Sequence, residues 1–432
     1  MVGGLFTRPS SPLSRRDIPG LSDLLPETAE ATRRSQEAVL AEMRRWGYRY
    51  VVTPSLERVD LLALGLDDEE RRRLFKLVDQ DGSVLGLVSE RTVPVARLVA
   101  GKLRGAPLPL RLCYAGPVLS NHPEGFSRQR ETQQVGAELI GASGPLADSE
   151  VIALAVQALA AAGLRRYQVD VGHSGFFMGL LEGLKLPETA KAAVKAQLVA
   201  RDFVGLEAIL NETPLRREEH QLLLRFPALR GGPEILNAAA GLVRNRRSDA
   251  ALSELRRVHE LLALHGLEAQ VSLDLGAIRD FDYYTGITFE GYGPDLGRPL
   301  AQGGRYDTLL ARFGRPAPAT GFVIHLDRVS EALQRAGIQP DPVFLEAAIA
   351  WSQGGLEIAL RLGQALRGFG LRTVVSTEPR ALATARSWAT GLGARGYCHV
   401  NEGGQIAVGL DRGWHRLSLA EAVAQLAERS AR

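Results

Sequence analysis

Cysteine is nearly absent from this chain: among 432 residues only Cys113 and Cys398 carry a thiol. Two isolated cysteines supply neither a disulfide framework nor the paired spacing of a zinc site, so no metal is expected. No uninterrupted apolar run approaches the roughly 20 residues that cross a bilayer. The N-terminus lacks the apolar segment of a secretory signal. No membrane association and a cytoplasmic location follow as expectations. An excess of one charge is missing as well, with 52 Lys and Arg against 49 Asp and Glu, a net charge of +3. So even a balance makes no case by itself for a nucleic-acid partner. A phosphate loop with its glycine spacing and terminal Lys-Ser/Thr is also lacking.

What is present is the composition of an ordinary globular protein, 45% hydrophobic and 23% charged, with length for about two to four domains. The first 20 residues, with three prolines, read as a flexible arm. Apolar residues at near-helical spacing from Pro26 to Trp46, closed by Gly47, predict a helix. Tyr48 to Pro54 reads as a strand, and Leu74 to Leu87 as two short strands about the turn Gln80-Asp81-Gly82. A helix is expected over Val93 to Leu103. Two long antiparallel strands are expected at Leu108 to Leu119 and Gln133 to Ile140, and a helix opened by Asp148-Ser149 as its cap runs to Ala162. Residues of about 175–268, rich in Leu, Ala, Glu and Arg, read as a helical insertion, after which strands return at Val271, Tyr283 and Thr320. Gly337 to Pro342 resembles a linker, followed over 343–432 by a smaller α/β unit. The fold class is therefore α+β: a mostly antiparallel sheet with flanking helices and one open face.

Four segments concentrate chemistry. Leu275 to Glu290 packs Arg279, Asp282, Tyr283 and Tyr284 together. On a strand the two tyrosines face opposite sides, and a guanidinium suits a carboxylate or phosphate; an Arg-Asp pair bracing a sheet fits equally well. In Ala301 to Asp307, Gly303 and Gly304 precede Arg305 and Asp307, which fits close backbone approach to a ligand or a tight turn beside a surface ion pair. Gln134 and Glu138 share one strand face with Gly136 between them, which would leave room for a ligand. That face suits an ammonium or an imidazole, or simply water. Glu90, with Thr92, opens a helix, where a carboxylate is favourable with or without a ligand.

In order and spacing these segments resemble the class II histidyl-tRNA synthetase core over about residues 21–336. Arg279 to Tyr284 resembles its Arg-Gly-Leu-Asp-Tyr-Tyr motif, and Gly303 to Asp307 its Gly-Gly-Arg-Tyr-Asp motif. Leu24 to Pro54 resembles motif 1, the dimer-forming element. Gly116 to Gly136 resembles motif 2, and Gly321 to Arg328 motif 3. The resemblance implies a histidine pocket of Glu90, Thr92, Gln134, Glu138, Arg279 and Tyr284, supported by Tyr283, Gly303, Gly304 and Arg305. The departures fall on the nucleotide side. Motif 2 of the synthetase reads Phe-Arg-x-Glu, and here Leu119-Ser120-Asn121-His122 stands in its place. Ser120 cannot replace a guanidinium on a phosphate. His325 stands at the glycine on which adenine stacks, followed by Asp327-Arg328.

That sorting is similar to the regulatory subunits of ATP phosphoribosyltransferase, a paralogous family. Val171 to Phe177, Pro227 to Glu234 and Val271 to Gly276 resemble them too. The resemblance implies a non-catalytic chain with no cofactor that works beside a short-form catalytic subunit in the first step of L-histidine biosynthesis. It implies a homodimer within a hetero-oligomer, with L-histidine as effector and no tRNA as partner. Many members lack a C-terminal domain, whereas this chain carries one resembling a reduced anticodon-binding domain. An active histidyl-tRNA synthetase and a tRNA-binding sensor are the alternatives, the first opposed by Ser120 and His325.

Overall fold

The computed structural model describes residues 18–121, 129–184, 186–200, 202–213, 215–242, 245–276, 284–338, 345–410 and 413–430. The expected N-terminal arm up to Asp17, His122, Arg279, Asp282 and Tyr283 lie outside the described residues. The chain divides into two compact units, residues 1–339 and 340–432.

The strands in chain order are β1 (Arg49–Tyr50), β2 (Leu56–Arg58), β3 (Lys76–Val78), β4 (Val84–Leu87), β5 (Leu110–Leu119), β6 (Glu131–Ile140), β7 (Gln168–His173), β8 (Arg230–Gly231), β9 (Val271–Asp274), β10 (Ile287–Tyr292), β11 (Ala301–Arg305) and β12 (Ala319–His325). Nine of them form one sheet in the order β1-β5-β6-β12-β11-β10-β7-β9-β8. Its pairs are antiparallel except β1 with β5 and β7 with β9. β2, β4 and β3 make a separate small sheet. The long β5–β6 ribbon was legible in the sequence, and Leu110 pairs with Ile140 at one end and Leu119 with Glu131 at the other.

The helix Pro145–Ala161 is apolar on nearly every side, so it is buried all round. It packs against β6, β11 and β12 and against the helices Pro26–Arg45 and Arg246–Leu264. Ile152, Leu154, Ala155 and Leu159 are sealed from solvent there. Its expected cap is wrong. The helix begins at Pro145 after Gly144, whose φ is +81°. Proline suits the first helical position because its missing N–H has no partner to lose. Asp148 instead turns inward to Arg305, and Ser149 Oγ donates to the Leu146 carbonyl at 2.9 Å.

The segment Ala301 to Asp307 is not a turn with a surface ion pair. Ala301–Arg305 is β11, a central strand. A Cβ on Gly303 would stand 2.4 Å from the Phe289 ring and 2.5 Å from the Gly321 carbonyl oxygen, so glycine is dictated by cross-strand crowding. The strand expected from Tyr48 to Pro54 shrinks to Arg49–Tyr50, an edge strand on β5. The described residues between 174 and 264 carry the helices Ser174–Gly183, Glu188–Ala200, Phe203–Glu212, Arg217–Arg225, Glu234–Leu242 and Arg246–Leu264, with the short strand β8 among them.

The second unit carries β13 (Leu345–Trp351), β14 (Thr373–Val375), β15 (Ala394–Val400), β16 (Ile406–Leu410) and β17 (Gly413–Leu417), in the order β14-β13-β15-β16-β17. Helices Leu356–Gly368, Leu382–Gly391 and Leu419–Ser430 accompany it. Ile349, Cys398, Val400, Leu362 and Leu366 share its core. Burial pushes the Cys398 thiol up to about 12 and the Cys113 thiol up to about 11, which leaves both inert. No helix among the described residues is long and apolar enough to cross a membrane.

Candidate functional site

The chemistry gathers on one face of β6. Alternation puts Gln134, Gly136 and Glu138 on that face. Glu138 is 1% exposed, and three hydroxyls close on its carboxylate. Thr92 Oγ1 donates to Oε1 at 2.8 Å, Tyr114 donates to the same oxygen at 3.2 Å, and Tyr306 donates to Oε2. None of these donors is a cation. Burial therefore dominates and pushes the carboxyl up to about 8, with the Tyr306 and Thr92 hydrogen bonds pulling the other way. Gly321, paired with Glu138 on β12, leaves the space for it: a Cβ there would stand 1.7 Å from Oε2. The room expected at Gly136 is filled by protein, because the Tyr114 ring lies where a Cβ would be, 2.4 Å away.

Glu90 lies just ahead of the helix Thr92–Ala100. Its Oε2 accepts from the Thr92 N–H at 2.7 Å and its Oε1 from the Val93 N–H at 2.8 Å, so it caps the helix Thr92–Ala100. Thr92 thus links the two carboxylates, one through its N–H and the other through its hydroxyl. Burial lifts Glu90 to about 7 against those backbone bonds. Arg91 is on the pocket lining too, its guanidinium held on the Thr53 and Pro117 carbonyls and packed over Gly116. Tyr284 lies over Gly304, whose absent side chain lets the ring within 2.8 Å of the Cβ position.

Glu90, Thr92, Gln134 and Tyr284 line one pocket of about 260 Å³. That is below the roughly 300–1,000 Å³ of sites for drug-sized ligands. Glu90, its carboxyl lifted to about 7, is on that lining, whereas Glu138 is not. Gly303, Gly304 and Arg305, expected to support the pocket, are not on its lining. The Arg305 guanidinium is buried and holds Asp148 at 2.8 Å, with Asp307 at 3.0 Å, tying β11 to the helix Pro145–Ala161.

The pocket also takes in Ser120, His325 and Arg328. Ser120 lines it, with its N–H on the Arg130 carbonyl at 2.8 Å. His325 is 7% exposed and bonded through Nε2 to Gln302 Oε1 at 3.2 Å. Burial, with the charges of Arg328 and Arg298, holds its imidazole well below the ordinary range, so it adds no cation for a phosphate. Arg328 is itself pulled down by burial and donates to the Pro299 carbonyl at 2.6 Å. Asp67, Glu69 and Glu70 also line the pocket, together with Arg73, which pairs with Glu69.

Sequence reasoning missed Tyr114, Tyr306 and Gln302. The signal for Tyr114 was its place directly opposite Gly136, and Tyr306 stood inside a segment already singled out.

A family model described as histidyl-tRNA synthetase matches residues 20–329. A protein of Moorella thermoacetica named ATP phosphoribosyltransferase regulatory subunit is 42% identical over 375 residues, 86% of this chain and 95% of its own length. One of the same name from Desulforamulus reducens is 38% identical, covering 90% and 97%. A crystal structure described as an ATP phosphoribosyltransferase regulatory subunit/histidyl-tRNA synthetase, from Bacillus halodurans, superposes with a TM-score of 0.79 at 32% identity, covering 88% and 97%. A histidyl-tRNA synthetase from Nostoc shares the fold, with a TM-score of 0.79 at 20% identity over 95% and 98% of the two chains.

Proposed function

We propose, on the premise that this chain belongs to the histidyl-tRNA synthetase family and within it to the ATP phosphoribosyltransferase regulatory subunits, that it is the non-catalytic regulatory subunit of that transferase in the first step of L-histidine biosynthesis. The observation that carries the reading is the asymmetry of the pocket. Glu90, Thr92, Gln134 and Tyr284 line it together with Ser120 and His325, which stand where the synthetase motifs carry the residues that handle ATP, and Glu138 is tied to that lining through Thr92. A chain that cannot grip ATP gains nothing catalytic from a histidine pocket, but an effector site needs only that half.

In this reading the chain dimerises through Leu24 to Pro54 and joins a short-form catalytic subunit in the cytoplasm, with tRNA playing no part. L-histidine, the end product, is the effector. Glu138 and Glu90 meet its imidazole and ammonium, Gln134 and Tyr284 orient it, and Arg279 pairs with its carboxylate. Feedback requires histidine to favour the inhibited assembly by a coupling of about 1–3 kcal/mol. Residues 21–336 form the synthetase-like core and 343–432 the appended α/β domain.

The test mixes the purified chain with a short-form catalytic subunit and follows phosphoribosyl-ATP formation with and without L-histidine. Activity that needs both chains and falls with histidine is the expected result. A catalytic rate indifferent to this chain overturns the reading.

A further inference from the structure

The register of β6 and β12 sets Gln134 directly opposite His325 on the pocket face. The two side chains are 5% and 7% exposed. Each holds a buried acceptor without a hydrogen-bond partner, Gln134 Oε1 and His325 Nδ1. Such groups are costly to bury unless something donates to them.

The far side of His325 decides its tautomer. Glu290 Oε1 belongs to a carboxylate that only accepts, so Gln302 turns its Nε2 to it at 3.0 Å. Gln302 then presents Oε1 to His325 Nε2 at 3.2 Å, and that nitrogen carries the proton. Tyr292 donates to the other Glu290 oxygen and completes the chain. His325 Nδ1 is therefore a bare lone pair. Protonation is suppressed by burial and by the charges of Arg328 and Arg298, which keeps that lone pair free.

We propose that Gln134 Oε1 and His325 Nδ1 form a two-acceptor cradle for the primary ammonium of the amino-acid ligand, so that His325 binds ligand as well as occupying the nucleotide side. The proposal rests on the reading that this pocket holds histidine. Two of the three ammonium protons meet the cradle, and the third faces the Glu90 carboxylate in the same pocket. These two acceptor atoms offer no hydrogen to a carboxylate or a phosphate. The histidine at position 325 thus changes what the pocket selects, from a nucleotide base toward an amine.

Calorimetric titration of the full-length chain with L-histidine and with imidazolepropionate tests this, because the second compound keeps the ring and the carboxylate and lacks the amine. His325→Ala should weaken L-histidine by about tenfold or more, the scale of one hydrogen bond to a charged group, and leave imidazolepropionate within about twofold. His325→Asn, whose amide oxygen stands close to the Nδ1 position, should recover part of the loss. Equal loss for both compounds, or no loss for either, overturns the cradle, as does wild-type protein that binds the two equally. If wild-type protein binds neither, the histidine reading itself falls and the cradle with it.

Discussion

Replacing Glu138 with Gln should make the stability of this protein less dependent on pH, and the sign follows from the site. The Glu138 carboxyl is buried among three hydroxyls with no cation, which lifts it from 4.5 to about 8. Below about pH 4.5 it is protonated in both the folded and the unfolded chain and makes no difference. Between there and about 8 the unfolded chain ionises while the folded chain holds its proton, so wild-type stability falls as pH rises. At about 1.4 kcal/mol per unit, the shift sets a ceiling of about 5 kcal/mol. Water entering the pocket and the coupling to Glu90 reduce this, and we expect about 2 kcal/mol. The assay is urea unfolding of wild type and Glu138→Gln at half-unit steps from pH 5 to 9. The variant should gain on the wild type steadily through that window, then hold level, while losing histidine binding. A difference between the two proteins that is flat with pH refutes the reasoning, since it would mean that Glu138 is charged in the fold throughout.

Three further outcomes follow from the same geometry. Gly321→Ala places a Cβ 1.7 Å from Glu138 Oε2 and 2.7 Å from the Ala137 carbonyl oxygen; it should cost about 1–3 kcal/mol by overpacking and abolish histidine binding, checked by unfolding and calorimetry. Arg305→Met leaves Asp148, 2% exposed, as an unpaired buried charge and should cost about 3–5 kcal/mol. Adding Asp148→Leu should restore most of that loss in thermal unfolding, and a double variant no better than the single one would count against the pair. Histidine-dependent exchange between ATP and pyrophosphate should be absent from the wild-type chain, and measurable exchange would contradict the assignment of Ser120 and His325.

Local pattern alone determined a good deal here. The β5–β6 ribbon, the Lys76–Val78 and Val84–Leu87 hairpin and most helices follow from periodicity and turn residues that act over a few positions. The family resemblance assigned Glu90, Thr92, Gln134, Glu138, Arg279 and Tyr284 to one pocket; Glu90, Thr92, Gln134 and Tyr284 line a common cavity, and Arg279 lies outside the described residues. What tertiary structure decided was every relation between segments far apart in the chain. Asp148 looked like a cap and is an ion-pair partner, because Arg305 arrives 157 residues later. Gly303 and Gly304 looked like a turn and are a central strand, because Phe289, Tyr284 and Gly321 crowd against them. Gly136 looked like room for a ligand and is filled by Tyr114. The pairing of Gln134 with His325 depends on the register between β6 and β12, strands joined only through more than 170 residues of intervening chain. Register is fixed by the burial of one sheet face as a whole, and no window of sequence contains it.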